Sequence, residues 1–320
     1  MNVIKSGEKL NITVGARGSK LSQAQTNWVI SELQKIDTSL SFEFKTITTK
    51  GDTDTRPLFA MEQKGIFEKE IDRAVFEKEI DFAVHSLKDV PSELDPNLTI
   101  ASIPKREAVN DVLITRNGFD IDSIPSNSVI GSSSLRRAVQ IIRKRPDLIV
   151  KPVRGNIETR INKVIDGKFD GVVLAQAGIT RLGTDVKLSK LSLDDFLPSP
   201  GQGALAIVCR KDDSTTLELL QKIEDPISRA EIEAERALSG SVDSGCRFPV
   251  GAFAESNSDS LTLKVAVYSM DGKKSIILEK TGSIDEAIEL GRSLGDELRN
   301  RGVSEIASNW REELEEWNKQ

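Results

Sequence analysis

The chain has 320 residues, of which 38% are hydrophobic and 29% charged, and a formal net charge of −6 at pH 7. These values are typical of a globular protein of two or three domains, and the acidic balance argues against generic nucleic-acid binding. Because the sequence has no run of about 18 apolar residues and no apolar core of a signal peptide at its start, we expect a soluble, cytoplasmic protein with no membrane partner.

Two cysteines and one histidine limit the chemistry further. Cys209 lies within an apolar run and Cys246 in a predicted loop, which argues against a disulfide framework or a zinc cluster. His85 is the only histidine that could act as a general base, so a hydrolytic triad and a multi-histidine metal site are both disfavoured. We expect no metal site.

The chain begins with a predicted strand over 10–15 and a predicted helix from 19 to 36, whose apolar residues recur at helical spacing. A glycine-bearing turn joins them. Such a turn presents free backbone N–H groups and the positive end of the helix dipole to an anion. Arg17 and Ser19, on either side of the glycine, are candidates to complete an anion site.

A predicted strand over 41–48 and a predicted helix over about 67–78 precede a strand of the buried type over 81–85. Three polar residues follow this strand closely: Ser86, Lys88 and Asp89. Since ligands bind at the carboxyl ends of strands in α/β sheets, these are candidate site residues. The alternative for Asp89 is a surface Lys-Asp turn without a role.

Residues 103–109 are predicted to cross from a first lobe into a second. The strands and helices that follow resemble those of the first lobe. Hydroxyl groups and arginines again follow the predicted strands: Ser134, Arg136 and Arg137, then Arg154 and Arg160, then Arg181. Between residues 131 and 160, eight cations stand against two acids, which indicates a site for a small polyanion. A solvated helix face is the alternative, and we prefer it for the three cations at 143–145.

A connector rich in proline and glycine at 198–203 leads to a strand that could return to the first lobe. From residue 227 the pattern changes to a helix, the cysteine loop, three strands and closing helices. We therefore predict three domains: a first α/β lobe over 1–104 and 203–224, a second α/β lobe over 105–202, and a C-terminal α+β domain over 225–320.

Cys246 lies in a turn between Gly245 and Pro249, directly before Arg247. A neighbouring cation favours the thiolate, which is the reactive form of cysteine. The alternative is a small buried apolar side chain. Elsewhere, the sequence has neither a Walker motif nor a Rossmann glycine motif after a strand, whereas arginine forks at several strand ends are suited to a ligand with many carboxylates.

Five segments, in the same order and over nearly the whole chain, resemble the signatures of the porphobilinogen deaminase (hydroxymethylbilane synthase) family. They are HSLKDVP at 85–91, GSSSLRR at 131–137, VRGNIETR at 153–160, PGQGA at 200–204 and GCRFPVG at 245–251. The resemblance implies an α/β fold with two lobes similar to type II periplasmic binding proteins, plus a small C-terminal α+β domain that carries the cysteine.

The resemblance also implies a transferase of the alkyl- or aryl-transferring class. It would condense four porphobilinogen molecules head to tail, with release of ammonia, into the linear tetrapyrrole hydroxymethylbilane of porphyrin and heme biosynthesis. The chain would grow on a dipyrromethane cofactor bound through a covalent thioether to Cys246. The family further suggests a monomer with porphobilinogen as its small-molecule partner.

Site residues are implied in the same way. Asp89 resembles the catalytic carboxylate, and Lys64 and Ser86 are possible further substrate contacts. The residues that resemble binders of acetate and propionate groups are Arg17, Ser19, Lys88, Ser134, Arg136, Arg137, Arg154, Arg160 and Arg181.

The sequence departs from the family pattern in two places. Glu62 and Gln63 stand where the family usually has a glycine pair before the loop lysine, and Ser244 replaces a glycine before the cysteine segment. A different alternative is a non-catalytic, two-lobed carboxylate-binding protein or effector domain. It would use the same arginines and leave Cys246 without a role.

Overall fold

A computed structural model describes residues 11–49, 69–242, 249–306, 312 and 315–317. The described residues form three β-sheets with helices packed against them. They divide into two compact units: the first holds 11–49, 69–105 and 205–226, and the second holds 106–204 and the described residues from 227 onward. None of the helices in these ranges is both long and apolar enough to cross a membrane.

The regular elements alternate strands and helices through most of the chain. In chain order they are β1 (Asn11–Arg17), α1 (Lys20–Ile36), β2 (Ser41–Ile47), α2 (Lys69–Phe76), β3 (Phe82–Ser86), β4 (Leu98–Ser102), β5 (Asp111–Thr115), β6 (Val129–Ser132), α3 (Leu135–Lys144), β7 (Ile149–Pro152), α4 (Ile157–Ile165), β8 (Gly171–Ala175), α5 (Gln176–Leu182), β9 (Ser189–Lys190), β10 (Leu205–Arg210), α6 (Ser214–Gln221), α7 (Pro226–Val242), β11 (Val250–Asn257), β12 (Ser260–Tyr268), β13 (Ser275–Ser283), α8 (Ala287–Asn300) and α9 (Val303–Ile306).

The first unit is built on a five-stranded sheet in the order β2-β1-β3-β10-β4. β1 is parallel to β2 and β3, whereas β10 is antiparallel to both of its neighbours. β3 and β10 read as nearly continuous apolar runs because helices cover both faces of the sheet centre. Val14, Phe82 and Ile207 are fully buried in its core.

The second unit contains a sheet in the order β7-β6-β8-β5-β9, in which β6 is parallel to β7 and β8, and β5 is antiparallel to both of its neighbours. The two sheets therefore share one plan: three parallel strands, an antiparallel strand, and a further strand at the edge. The expectation of two similar α/β lobes is confirmed.

A third sheet, the antiparallel meander β11-β12-β13, also lies in the second unit. Helices α7 and α8 cover it, and Leu238, Val265 and Leu294 are fully buried between them. Gly291 lets the two helices approach closely, since a Cβ there would lie 2.2 Å from the carbonyl oxygen of Ala234. The α+β character expected of the C-terminal part is confirmed, and the three-domain boundaries stay a prediction.

The element ends differ from the sequence prediction in several places. β11 and β13 run further than expected, to Asn257 and Ser283, because their polar ends pair with β12 in regular register. Helix α6 and the two-residue strand β9 were not predicted at all. β9 depends on pairing with β5, which no local pattern encodes.

Candidate functional site

The first sheet gathers its predicted site residues at one edge. Arg17 and Ser86 are the last residues of β1 and β3, and because these strands are parallel neighbours, both residues lie at the carboxyl edge. Ser19 caps the N-terminus of α1, where its hydroxyl accepts a hydrogen bond from the Ser22 N–H at 3.3 Å.

Lys88 and Asp89 follow directly after β3, in a 3-10 turn over Leu87–Asp89. Leu87 is buried and anchors this turn to the core, while Lys88 and Asp89 are exposed. The carboxylate predicted to be catalytic is therefore accessible at the carboxyl edge of the first sheet.

The second sheet repeats this arrangement with cations. Ser134 occupies the N-cap position of α3 after β6 without a capping hydrogen bond from its side chain, Arg154 follows β7, and Arg181 lies on α5 after β8. β6, β7 and β8 are parallel, so their carboxyl ends share one edge. Arg160, in α4, is held there by hydrogen bonds from its Nη1 to Ser133 Oγ (2.6 Å) and from its Nε to the Gly155 carbonyl (2.7 Å).

Arg160 and Arg181 carry positive charge in a half-buried setting. Burial, together with the charge of Arg137, lowers the pKa of Arg160 to about 10. Burial likewise lowers the pKa of Arg181 to about 10, although the Glu107 charge opposes the shift. Both side chains remain protonated at pH 7, and a desolvated cation is stabilised by an incoming anion.

Arg136 and Arg137 lie in the first turn of α3 and share the buried carboxylate of Asp111. Arg136 Nη2 lies 2.8 Å from Asp111 Oδ2, and Arg137 Nη2 lies 2.7 Å from Asp111 Oδ1. Burial would raise the pKa of the Asp111 carboxyl, but the charges and hydrogen bonds of the two arginines outweigh it and hold this pKa well below its usual range. The Arg136 guanidinium also donates to the Leu197 carbonyl.

The two arginines therefore differ in their use within the fold. Both terminal nitrogens of Arg136 bind groups of the second unit. A contact between Arg136 and a ligand stays a prediction. Arg137 is only 6% exposed, yet its Nε finds no hydrogen-bond partner among the described residues. This orphaned buried donor, beside the cations of the same edge, fits a carboxylate-bearing ligand such as dipyrromethane.

The predictions for Lys64 and Cys246 lie outside the described residues. Three polar residues to which the sequence assigned no role contact predicted site residues of their own unit. Gln25 donates from Nε2 to Ser86 Oγ (2.8 Å), Gln202 bonds both Arg137 and Asp111, and Asp111 begins β5. In the sequence, the feature that could have drawn attention to Asp111 is a carboxylate that follows Asn110 directly at the start of an apolar strand.

Two family models match the chain. The model of the porphobilinogen deaminase dipyrromethane cofactor binding domain matches residues 12–218, and that of the porphobilinogen deaminase C-terminal domain matches residues 229–300. The chain belongs to the porphobilinogen deaminase family. The family model names dipyrromethane as the cofactor.

Curated relatives agree with this family assignment. A probable porphobilinogen deaminase of Nitrosopumilus maritimus is 66% identical over 96% of this chain and 98% of its own length. A porphobilinogen deaminase of Exiguobacterium sibiricum is 42% identical over 95% of this chain and 99% of its own length. The alternative of a non-catalytic carboxylate-binding protein is not favoured.

Among solved structures, the effector-binding domain of BenM with benzoate is similar to 67% of this chain and 89% of that domain, with a TM-score of 0.40 and 16% identity. This likeness is too weak to add to the architecture that the strand order already defines.

Proposed function

We propose that this chain catalyses the hydroxymethylbilane synthase reaction, in which four porphobilinogen molecules are joined head to tail into linear hydroxymethylbilane. Membership of the family makes it a transferase of tetrapyrrole biosynthesis. The observation that carries the proposal to this reaction lies at the edge of the second sheet. There Arg160 and Arg181 are half-buried, and the buried Nε–H of Arg137 has no hydrogen-bond partner in the part of the chain that the structure describes. Substrate and product both carry carboxylates on every pyrrole ring, so this edge suits them.

The proposal assigns carboxylate binding to residues of both sheet edges. From the first unit these are Arg17, Ser19 and Lys88. From the second unit they are Ser134, Arg136, Arg137, Arg154, Arg160 and Arg181. Planar guanidinium groups bind carboxylates through two parallel hydrogen bonds, which orients each pyrrole ring as well as holding it.

Asp89 has the catalytic role in this proposal. In each condensation the C–N bond of the aminomethyl group breaks, ammonia leaves, a C–C bond forms, and the attacked pyrrole carbon releases its proton. The Asp89 carboxylate stabilises the cation that develops on the substrate as ammonia departs, and it accepts and returns protons at the pyrrole nitrogens. Dipyrromethane, bound as a thioether to Cys246, would supply the pyrrole carbon that starts the chain, and water would release the finished four-ring chain from it and supply the hydroxyl group of the product.

Three finer points belong to the same proposal. Lys64 and Ser86 are further substrate contacts. The protein acts as a monomer in the cytoplasm. Size-exclusion chromatography with light scattering tests the oligomeric state. The connector at 198–203 joins the end of the second lobe to β10, the strand by which the chain returns to the first lobe.

Intact-protein mass spectrometry tests the proposal directly. We expect the purified protein to carry an added mass equal to two linked pyrrole units, and Cys246→Ser to lose both this adduct and turnover of porphobilinogen. Cys209→Ala is the matched control, since Cys209 is fully buried in β10 and burial raises the pKa of its thiol to about 12, which leaves it unreactive.

The control variant should keep the adduct. A fully active Cys246→Ser variant would contradict growth of the chain on Cys246, whereas a wild-type protein with neither adduct nor turnover would favour a binding protein without catalysis.

A further inference from the structure

We propose that Asp111 is a positioning residue for the reaction: its buried carboxylate holds Arg136 and Arg137 in the orientation in which Arg137 receives a carboxylate of the ligand. This inference rests on the proposed function. In this inference, Asp111 does not bind the ligand itself but acts through Arg137.

The position of Asp111 follows from the direction of β5. This strand is antiparallel to β8, and its first residue, Asp111, pairs with Ala175, the last residue of β8. The start of β5 therefore lies at the carboxyl edge of the parallel strands. A carboxylate at this point faces the N-terminus of α3, where Arg136 and Arg137 project.

Every oxygen of the Asp111 carboxylate is in use. Oδ2 binds Arg136 Nη2 at 2.8 Å, while Oδ1 binds Arg137 Nη2 at 2.7 Å and Gln202 Nε2 at 2.8 Å. The side chain of Asp111 is fully buried, and those of both arginines are nearly so. In such a setting each side chain is limited to a narrow range of orientations.

Gln202 fixes the same arrangement from the connector. Its Oε1 accepts from Arg137 Nη2 at 3.2 Å, and its Nε2 also donates to the Val109 carbonyl at 2.7 Å. Gln202 is 1% exposed, so its amide cannot turn without losing these bonds. Arg137 is thus held on one side by a carboxylate and an amide.

The charges of this cluster do not cancel. One carboxylate faces two guanidinium groups, so one positive charge remains uncompensated within the cluster. The charge of Arg137 reaches Arg160, because it contributes to the lowered pKa of that residue. The Nε of Arg137 is buried without a hydrogen-bond partner among the described residues. Excess charge and a free donor on the same side chain point to an anionic ligand at Arg137.

A purely structural salt bridge would serve stability alone and would leave substrate affinity unchanged. The positioning role instead requires that loss of the Asp111 charge weakens binding, because Arg137 then turns away from its ligand-binding orientation and Arg136 repels it. The Michaelis constant and the turnover number therefore separate the two roles.

The experiment compares wild type and Asp111→Asn, with turnover normalised to the adduct content measured by mass spectrometry. We expect Asp111→Asn to raise KM for porphobilinogen about 10- to 100-fold, the loss that goes with one or two charge-assisted hydrogen bonds. The normalised kcat should change much less.

Arg145→Met is the matched control for stability. Arg145 binds the carbonyl oxygens of Ile121 and Ile124 and the carboxylate of Asp147 at the opposite end of α3. Its loss should lower the unfolding temperature of the second unit and leave KM unchanged. Gln202→Met is a second test variant, which keeps all charges and should raise KM by a smaller factor, about 3- to 10-fold.

An unchanged KM in folded Asp111→Asn would overturn the inference, as would an equal rise of KM in Arg145→Met. If Asp111→Asn does not fold, Gln202→Met decides, and an unchanged KM there rejects the positioning role. An inactive wild type without the adduct would instead refute the proposed function, so the two failures are distinguishable.

Discussion

Asp89 shows how one side chain becomes available for chemistry at the end of a strand. β3 is buried along its first four residues, and the 3-10 turn after it buries Leu87 but exposes Asp89. The backbone of the turn is therefore anchored in the core while the carboxylate is exposed, as the catalytic role proposed for it requires. An anchored backbone limits the positions that this carboxylate can take, which favours electrostatic stabilisation of a developing cation.

We predict that Asp89→Asn folds and keeps the cofactor adduct but loses at least about 100-fold in kcat, because an amide neither stabilises the cation nor carries a proton. Steady-state kinetics on adduct-bearing protein measure this. Glu93→Gln is the matched control: it removes an exposed carboxylate four residues further along and should retain wild-type kcat. A wild-type kcat in Asp89→Asn would remove Asp89 from the catalytic role.

Arg136 and Arg137 show why neighbouring residues of the same type need not have the same task. They are adjacent in sequence and in one helical turn, but both terminal nitrogens of Arg136 are bound, to Asp111 and to the Leu197 carbonyl. Arg137 also binds Asp111, yet its buried Nε has no hydrogen-bond partner among the described residues. Their position after β6 predicts a ligand contact for both arginines. Only the partners around them show that Arg136 is more fully engaged within the second unit than Arg137.

At the scale of one element, helix α1 links stability to binding through its first cap. Ser19 accepts a hydrogen bond from the Ser22 N–H and follows Arg17, which ends β1. A cap of this kind satisfies one of the backbone donors that the first helical turn leaves open. The same hydroxyl lies where the sequence predicts a carboxylate contact.

We predict that two substitutions of Ser19 separate these roles. Ser19→Ala should lower the free energy of unfolding by about 1 kcal/mol, since the cap is lost. Ser19→Asp should retain the cap and this stability but raise KM several-fold, because its negative charge repels the substrate carboxylates. Chemical denaturation and substrate titration measure the two effects, and an unchanged KM in Ser19→Asp would show that Ser19 acts as a cap alone.

At the scale of the second unit, one buried carboxylate joins its parts. Glu235 of α7 is fully buried and accepts from Arg106 Nη1 (2.8 Å) and Nη2 (3.0 Å), from the Gly201 N–H (2.6 Å) and from the Ala254 N–H (2.9 Å). It thereby connects the crossing into the second lobe, the connector and the C-terminal sheet. α7 leads on in sequence toward Cys246.

We predict that Glu235→Gln destabilises the second unit by about 3 kcal/mol, because it removes the nearer counter-ion of the buried Arg106 (2.8 Å) and leaves only Glu231, at 3.7 Å. Thermal and denaturant unfolding measure the loss. Glu279→Gln is the control, since Glu279 forms an exposed ion pair with Lys264 and its removal should change stability by no more than about 0.5 kcal/mol. Equal losses in the two variants would argue against a special role for Glu235.

The sequence by itself determined the two α/β lobes, the C-terminal α+β part, and the position of Arg17, Ser86 and Asp89 at or shortly after the ends of predicted strands. This was possible because hydrophobic periodicity and polar residues after buried strands are local signals. The resemblance of five segments added the family, which the comparisons confirm.

Only the tertiary structure decided what surrounds these residues. Asp111 reaches the site because β5 is antiparallel to β8, and Gln202 reaches it across a separation of 91 residues. Pairing of distant segments depends on how whole sheets assemble, so no spacing along the chain reveals it. The same assembly buries Asp111 between two arginines and leaves the Nε of Arg137 as a buried donor toward the ligand proposed above.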